Sequence, residues 1–277
     1  MMINQTAKIS AQRVFLVVVV LALSMRGHAQ PPALSTNIPG GLPQMSSTNA
    51  QPLMEQQALD QLKRMSTTLS ATKAFTFNTR STMEVPAKNG QFVTLFADSQ
   101  ISLQRPNKLR AHVMGELATF DLYYDGTNIV AFAPTNNVYS MTNAPDTIDA
   151  TLRFVEEKTG IHIPSADIMY SDPYSVLTNG LDSAFVVGTA TVDGAPCVHL
   201  AFRNPGVNWE IWIETGSSAL PRRLVATYTD VQNFPRFMVE FSNWNLHPDL
   251  PAGTFTFNPP PGAKQIEFHS PAGQRGP

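Results

Sequence analysis

A single cysteine, Cys197, stands in 277 residues, so no disulfide can form within the chain. In an exported protein a lone cysteine is more often a small buried apolar residue than a reactive thiol. Charge is scarce and balanced: 19 Lys and Arg face 21 Asp and Glu. No basic cluster interleaves with aromatics, so no nucleic-acid partner is expected. Gly-x-Ser-x-Gly, His-Glu-x-x-His and glycine-rich phosphate loops are missing, and with them three common catalytic or nucleotide signatures. His112, His162 and His247 are scattered without ligand spacing, so neither a metal nor a cofactor is expected.

Long apolar runs are confined to one place. Lys8 and Arg13 precede Val14–Met25, and Gly27-His-Ala29 puts small residues where a signal peptidase reads. Residues 1–29 therefore read as a secretory signal peptide, and the run is too short for a typical membrane span. An uncleaved anchor is the alternative. Residues 30–52 are rich in Pro, Gly, Ser and Asn, which cannot bury enough apolar surface to offset ordering, so they read as a disordered linker. Residues 269–277 read as a flexible tail, and 53–268 as one domain with a sizeable core.

What that domain does contain is alternation. Leu59, Leu62, Met65 and Leu69 first give an amphipathic helix over 53–70. Phe75–Val85 and Phe92–Arg105 then alternate apolar and polar residues around Asn89-Gly90, the strongest short hairpin signal. Phe77 lies on the apolar face of the first strand, and Leu95, Ile101 and Leu103 on that of the second. Further hairpins follow, with Val113 and Leu122 on their apolar faces and Asp125-Gly126 as one turn. A helical insert interrupts them. One helix spans 146–159, capped by Asp146 and stopped by Gly160, with Leu152 and Val155 in its stripe. Two shorter helices start at Ser or Asp beside Pro, carrying Ile168 and Leu177. Strands resume at Ala184, with Leu200, Phe202 and Ile211 alternating inward, and a short strand is expected at Thr254–Phe257.

The expected fold class is α+β, mostly antiparallel β: about eleven strands curled into an incompletely closed barrel with a helical lid. Several stretches are similar to a family of predicted bacterial periplasmic proteins in the lipoprotein-carrier (Lol)-like superfamily. They are Tyr124–Gly126, Val192–Gly194, Trp209 with Trp212, Leu220–Leu224 and Phe255–Ala263, taken in that order. The resemblance implies a periplasmic half-barrel with a helical lid and an apolar cavity for acyl chains. The cavity and lid side chains would be Phe77, Leu95, Ile101, Leu103, Val113, Leu122, Leu152, Val155, Ile168, Leu177, Leu200, Phe202 and Ile211. The same side chains can instead fill a closed core or line a protein-binding groove.

Catalytic constellations are weak. Ser70-Ala-Thr-Lys73 and Lys158-Thr-Gly160 match two elements of penicillin-recognising enzymes, but the latter falls on a helix end rather than a strand edge. Glu210 and Glu214 share a strand face with Glu240 as a possible neighbour, which suits a solvated face beside Arg222, Arg223 or Arg236. Cys197 and His199 are two apart on one strand, too far for easy contact. The expectation is a monomeric, non-catalytic periplasmic protein whose partner is a lipid or lipoprotein acyl chain. The alternative is a regulatory or envelope-assembly module that holds an envelope protein at the barrel mouth or a sheet edge.

Overall fold

The computed structural model describes residues 53–159 and 164–267. The proposed leader, linker and tail, the Gly160 stop and His162 lie outside the described residues. Helix α1 (Gln56–Ala71) precedes six strands: β1 (Ala74–Pro86), β2 (Phe92–Gln104), β3 (Lys108–Gly115), β4 (Thr119–Tyr124), β5 (Asn128–Ala133) and β6 (Val138–Asn143). The insert contains α2 (Ile148–Thr159), a 3-10 turn (Pro164–Met169) and α3 (Pro173–Leu177). Strands β7 (Ser183–Val192), β8 (Ala195–Asn204), β9 (Val207–Glu214), β10 (Pro221–Tyr228) and β11 (Arg236–Asn245) complete the second half, and a short β12 (Lys264–Gln265) follows.

All twelve strands form one sheet that does not close, in the order β12-β6-β5-β4-β3-β2-β1-β11-β10-β9-β8-β7. The two meanders, β1–β6 and β7–β11, meet along one seam, where β1 pairs antiparallel with β11. Each hairpin sits on the turn chemistry that alternation leaves room for. Gly90 has φ +81° and Gln91 N donates to Asn89 Oδ1 at 3.1 Å, which closes the first turn. At the β4–β5 turn Gly126 has φ +97°, and a Cβ there would meet Asn107 Nδ2 at 2.6 Å, so only glycine fits.

The two open edges are capped by short parallel segments. At β7, Ala184 N donates to Leu53 O at 2.7 Å and Glu55 N to Ala184 O at 2.8 Å. The Glu55 carboxylate then accepts from Val186 N at 2.9 Å. This pairing explains why the first helix starts at Gln56 and not at Leu53: the backbone of 53–55 is used by the sheet. At the other edge, β12 pairs parallel with β6. Each cap covers one end of its edge strand and so shortens the edge left open to sheet-to-sheet association.

Other expectations need correction. The segment expected as a strand at Thr254–Phe257 is instead a 3-10 turn, Ala252–Phe255, and the strand comes later at Lys264. Phe257 does not alternate into the sheet. It packs across its outer face on Tyr123, Phe132 and Tyr139, with ring centroids 5.1 to 5.5 Å apart. The cap of α2 is Thr147, whose Oγ1 accepts from Ala150 N at 3.2 Å, rather than Asp146. For α3, Asp172 caps as expected, accepting from Ser175 N at 3.2 Å.

The core lies on the concave face. Ala58, Leu62, Met65 and Leu69 of α1 are fully buried there, each large side chain contributing roughly 1.5–3 kcal/mol. They meet Leu200, Ile211, Ile213, Leu224 and Val239 from the β7–β11 half, which are at most 2% exposed.

Candidate functional site: a lidded concave face

Register decides which side chains share the concave face. Rows across the first half run Phe77–Ile101–Ala111–Leu122–Ala131–Ser140, then Thr79–Ser99–Val113–Phe120, then Ser81–Ala97–Gly115. Small side chains (Thr79, Ser81, Ala97, Ser99, Ala111, Gly115, Ala131 and Ser140) are concentrated in these middle rows of the β1–β6 half, whereas Leu, Ile, Phe and Trp dominate the β7–β11 half. The consequence is uneven burial. On the β7–β11 half the core is sealed. On the β1–β6 half Leu95, Ala97, Val113, Phe120 and Leu122 are only half-buried, and Val93 is 39% exposed.

The insert faces the same problem from above. Ile148 and Ile168 are buried in the core, but Leu152, Phe154 and Val155 of α2 are half-buried at its margin. Apolar surface is thus left partly wet on both the wall and the lid. The thirteen side chains proposed for the cavity and lid divide accordingly. Phe77, Ile101, Leu103, Ile168, Leu177, Leu200, Phe202 and Ile211 are buried in the packed core. Leu95, Val113, Leu122, Leu152 and Val155 are half-buried.

The lid is fastened by a residue that sequence reasoning passed over. Arg105 follows β2 and turns its guanidinium inward. It donates to Met169 O at 3.1 Å and Tyr170 O at 2.8 Å in the insert, and to Leu69 O at 3.5 Å at the end of α1. These acceptors are main-chain carbonyls, not carboxylates. Arg105 Nε is shielded from solvent and has no partner. Burial holds the Arg105 pKa below the ordinary arginine value, with Asp149 pulling the other way. Neutral bonds fasten the start of the lid close by: Ile148 N to Pro106 O at 2.8 Å and Tyr124 Oη to Pro145 O at 2.6 Å. Ser171 then ties the insert to itself, donating from N and Oγ to the Asp149 carboxylate at 2.9 and 2.5 Å. A single arginine after a strand carries no periodic signal. Its lack of a nearby acidic neighbour in the sequence was the only available hint.

Tyr228 ends β10. Burial, with Asp167 adding to it, pushes the Tyr228 phenol up to about 12. The fold therefore favours the neutral phenol. Stability from this group is complete below the ordinary tyrosine value of about 10 and is lost as pH rises toward about 12. Urea melts of Tyr228→Phe should show a flatter decline over that window than the parent protein; parallel declines would disprove the assignment.

The titratable strand side chains singled out as possible catalysts fall on the convex face. His199, Trp212, Arg223, Glu240, Arg80 and Asp98 lie in one row across six strands. His199 stacks on Trp212 with centroids 3.9 Å apart and its Nε2 meets Glu210 Oε2 at 2.7 Å. Arg223 pairs with Glu240 at 2.5 Å, Arg80 with Asp98 at 3.0 Å, and Arg222 with Glu214. The three glutamates are thus each partnered by a cation or histidine rather than aimed together at a cleft. Arg236 contributes its backbone N to Glu84 Oε2 instead. Cys197 is 1% exposed, its Sγ contacts Ala195 O at 3.4 Å, and burial, with Glu214, pushes its pKa up. Ser70 ends α1 while Lys158 ends α2, so no strand presents the Lys-Thr pair. Among the described residues no group of three or more His, Cys, Asp or Glu is placed to hold a metal.

Residues 58–269 match the model of a family described as predicted periplasmic protein (DUF2092). The chain belongs to this family. This periplasmic assignment accompanies a described structure in which no helix is long and apolar enough to cross a membrane. Among solved structures, the Mycobacterium tuberculosis lipoprotein LppX is similar at 12% identity and a TM-score of 0.45, over 70% of this chain and 98% of that one. The MucA/MucB complex of Pseudomonas aeruginosa gives 18% identity and a TM-score of 0.36, over 68% of this chain and 56% of that one. A LolA-superfamily protein of Nitrosomonas europaea gives 10% and 0.33, over 72% and 97%. No curated protein matches the sequence.

Proposed function

We propose that this periplasmic family member binds a lipid or lipoprotein acyl chain on the β1–β6 half of its concave face, beneath the insert, without catalysis. One observation carries the reading: wall and lid both present apolar side chains that the closed lid leaves half-buried, over a wall lined with small residues. Such surfaces gain from an apolar occupant. Burying a dozen methylenes contributes roughly 10 kcal/mol at about 0.8 each, so no charged clamp is needed. The lid can yield along α2, where Leu152, Phe154 and Val155 are only half-buried. The titratable side chains of the convex face are paired with one another rather than aimed at a cleft.

Native mass spectrometry of the protein purified from periplasm tests this. Bound phospholipid or acyl species are expected; an empty protein that also refuses apolar fluorescent probes would sink the reading. Leu152→Asp places a carboxylate at the lid margin and is expected to abolish lipid uptake while the half-exposed position lets the fold survive. Unchanged uptake would remove Leu152 from the site. Should the protein bind no lipid, recovery of one dominant envelope protein from solubilised membranes would favour the assembly-module reading instead.

A further inference from the structure

We infer that residues 268–271 of this chain dock on the open edge of β6, as a parallel continuation of β12. Hydrogen-bond parity defines that edge. Lys264 N donates to Asn137 O at 3.0 Å and Ile266 N to Tyr139 O at 2.8 Å, so odd-numbered residues of β6 turn their backbone groups outward. Even-numbered ones turn toward β5, a pattern that Ala144 N continues to Thr127 O at 2.8 Å. The pairing with β12 ends opposite Tyr139. Beyond it the N–H and C=O of Met141 and Asn143 face outward, and among the described residues no backbone group of another segment reaches them.

This edge lacks the usual guards. The other edge strand, β7, is broken by a register shift between Val186 and Gly188. β6 instead pairs with β5 in unbroken register from Val138 to Asn143, and its sequence Val-Tyr-Ser-Met-Thr-Asn holds no charge and no proline. Regular, uncharged edges are templates for a further strand.

The chain itself supplies one. β12 already runs parallel to β6, with Lys264 opposite Val138 and Gln265 opposite Tyr139. Carried on in that register, Phe268 falls opposite Thr142 and Ser270 opposite Ala144. By the alternation that Lys264 and Ile266 set, Phe268 N and Ser270 N then face the carbonyls of Met141 and Asn143. Local chemistry agrees with an extended segment. Phe favours strands, and Pro271 biases Ser270 toward extended backbone. Pro271 is itself odd-numbered, so its missing N–H falls on the side away from β6, where an edge strand tolerates proline. Phe268 shares the concave side with Ile266, which is half-buried, and lies beside the half-buried Thr142. Glu267 and His269 take the outer side. At about 3.3 Å per residue the segment reaches the point where the chain leaves β6 for the lid. It takes in the first residues of the stretch expected as a flexible tail. Docked there, it denies the edge to other chains, whether or not the concave face holds an acyl chain.

Residue-resolved amide exchange of the purified protein tests this. Deletion of residues 268–277 should speed exchange at Met141 and Asn143 about tenfold. Thr142, which bonds inward to β5, should not change. Phe268→Pro removes a donor that faces β6 and should act on Met141 and Asn143 as the deletion does. His269→Pro puts the missing N–H on the far side and should leave both protected. Fast exchange at Met141 and Asn143 in the full chain, or protection that survives the deletion, would overturn the docking. Equal loss of protection in both proline variants would overturn the parallel register on which it rests. Protection that fades on dilution of the full chain would assign the edge to a second copy and overturn it as well.

Discussion

Arg105→Met should free the lid. The substitution keeps an apolar stem of similar length but removes every donor that holds Met169 O, Tyr170 O and Leu69 O. Hydrogen bonds from charged donors contribute about 1.5–3 kcal/mol each, and the shielded guanidinium carries an opposing desolvation cost. A net loss of about 3 kcal/mol in lid closure is expected, so amide exchange across Ile148–Leu177 should accelerate roughly a hundredfold. Exchange in β8 and β9 should change little, because their core contacts are with α1 and with each other. On the acyl-chain proposal, affinity for apolar probes should move too, since an open lid changes the free energy of the empty state. Arg105→Lys supplies a point charge in place of a planar fork and should restore only part of the protection. Uniform acceleration across sheet and lid would show that Arg105 supports the whole fold and not the lid.

The other large effect belongs to the seam. Phe77 sits where the two meanders meet. Its ring stacks on Trp244 with centroids 4.5 Å apart and packs against Phe75 and Phe241 at 6.0 and 5.9 Å. Trp244 is in turn held by its indole N–H to Pro221 O at 3.1 Å. Phe77→Ala empties the centre of this cluster and should cost about 3–5 kcal/mol, a large share of a domain's net stability. Urea denaturation would read it as a lower midpoint with an unchanged slope. A cost below about 1 kcal/mol would mean that the cluster collapses to fill the space.

Much of this architecture could be read from residues alone because hairpins are local. Asn89-Gly90, Asp125-Gly126 and Asp193-Gly194 announce their turns within a few residues, and alternation then sorts the faces. The half-barrel with a helical lid followed from those signals. What stayed hidden depends on contacts between distant residues. Glu55 reads as an ordinary helix-start acid, yet its carboxylate serves Val186 on the sheet edge. Lys264-Gln265 is too short to show alternation, and only its partner β6 makes it a strand. Phe257 has the spacing of a strand residue but packs, tilted, on the rings of the convex face. The apolar alternation of β2 and β3 was legible, but Ala97, Ser99 and Ala111 reveal a thin wall only when register lines them up. Arg105 had no signature, since its partners are backbone carbonyls that any residue could supply.

The single seam between β1 and β11 also has a temporal side. Every other antiparallel pair joins strands adjacent in sequence, so each meander can zip as soon as its own residues are available. Strand β1 is different. It pairs with β2 early, but its other edge must wait through β2–β10 and the whole insert before β11 arrives. A chain emerging into the periplasm therefore passes through a stage with a finished half-sheet and an unguarded thirteen-residue strand. That interval is when the growing protein is most open to pairing with another chain, and when a periplasmic chaperone would have most to protect.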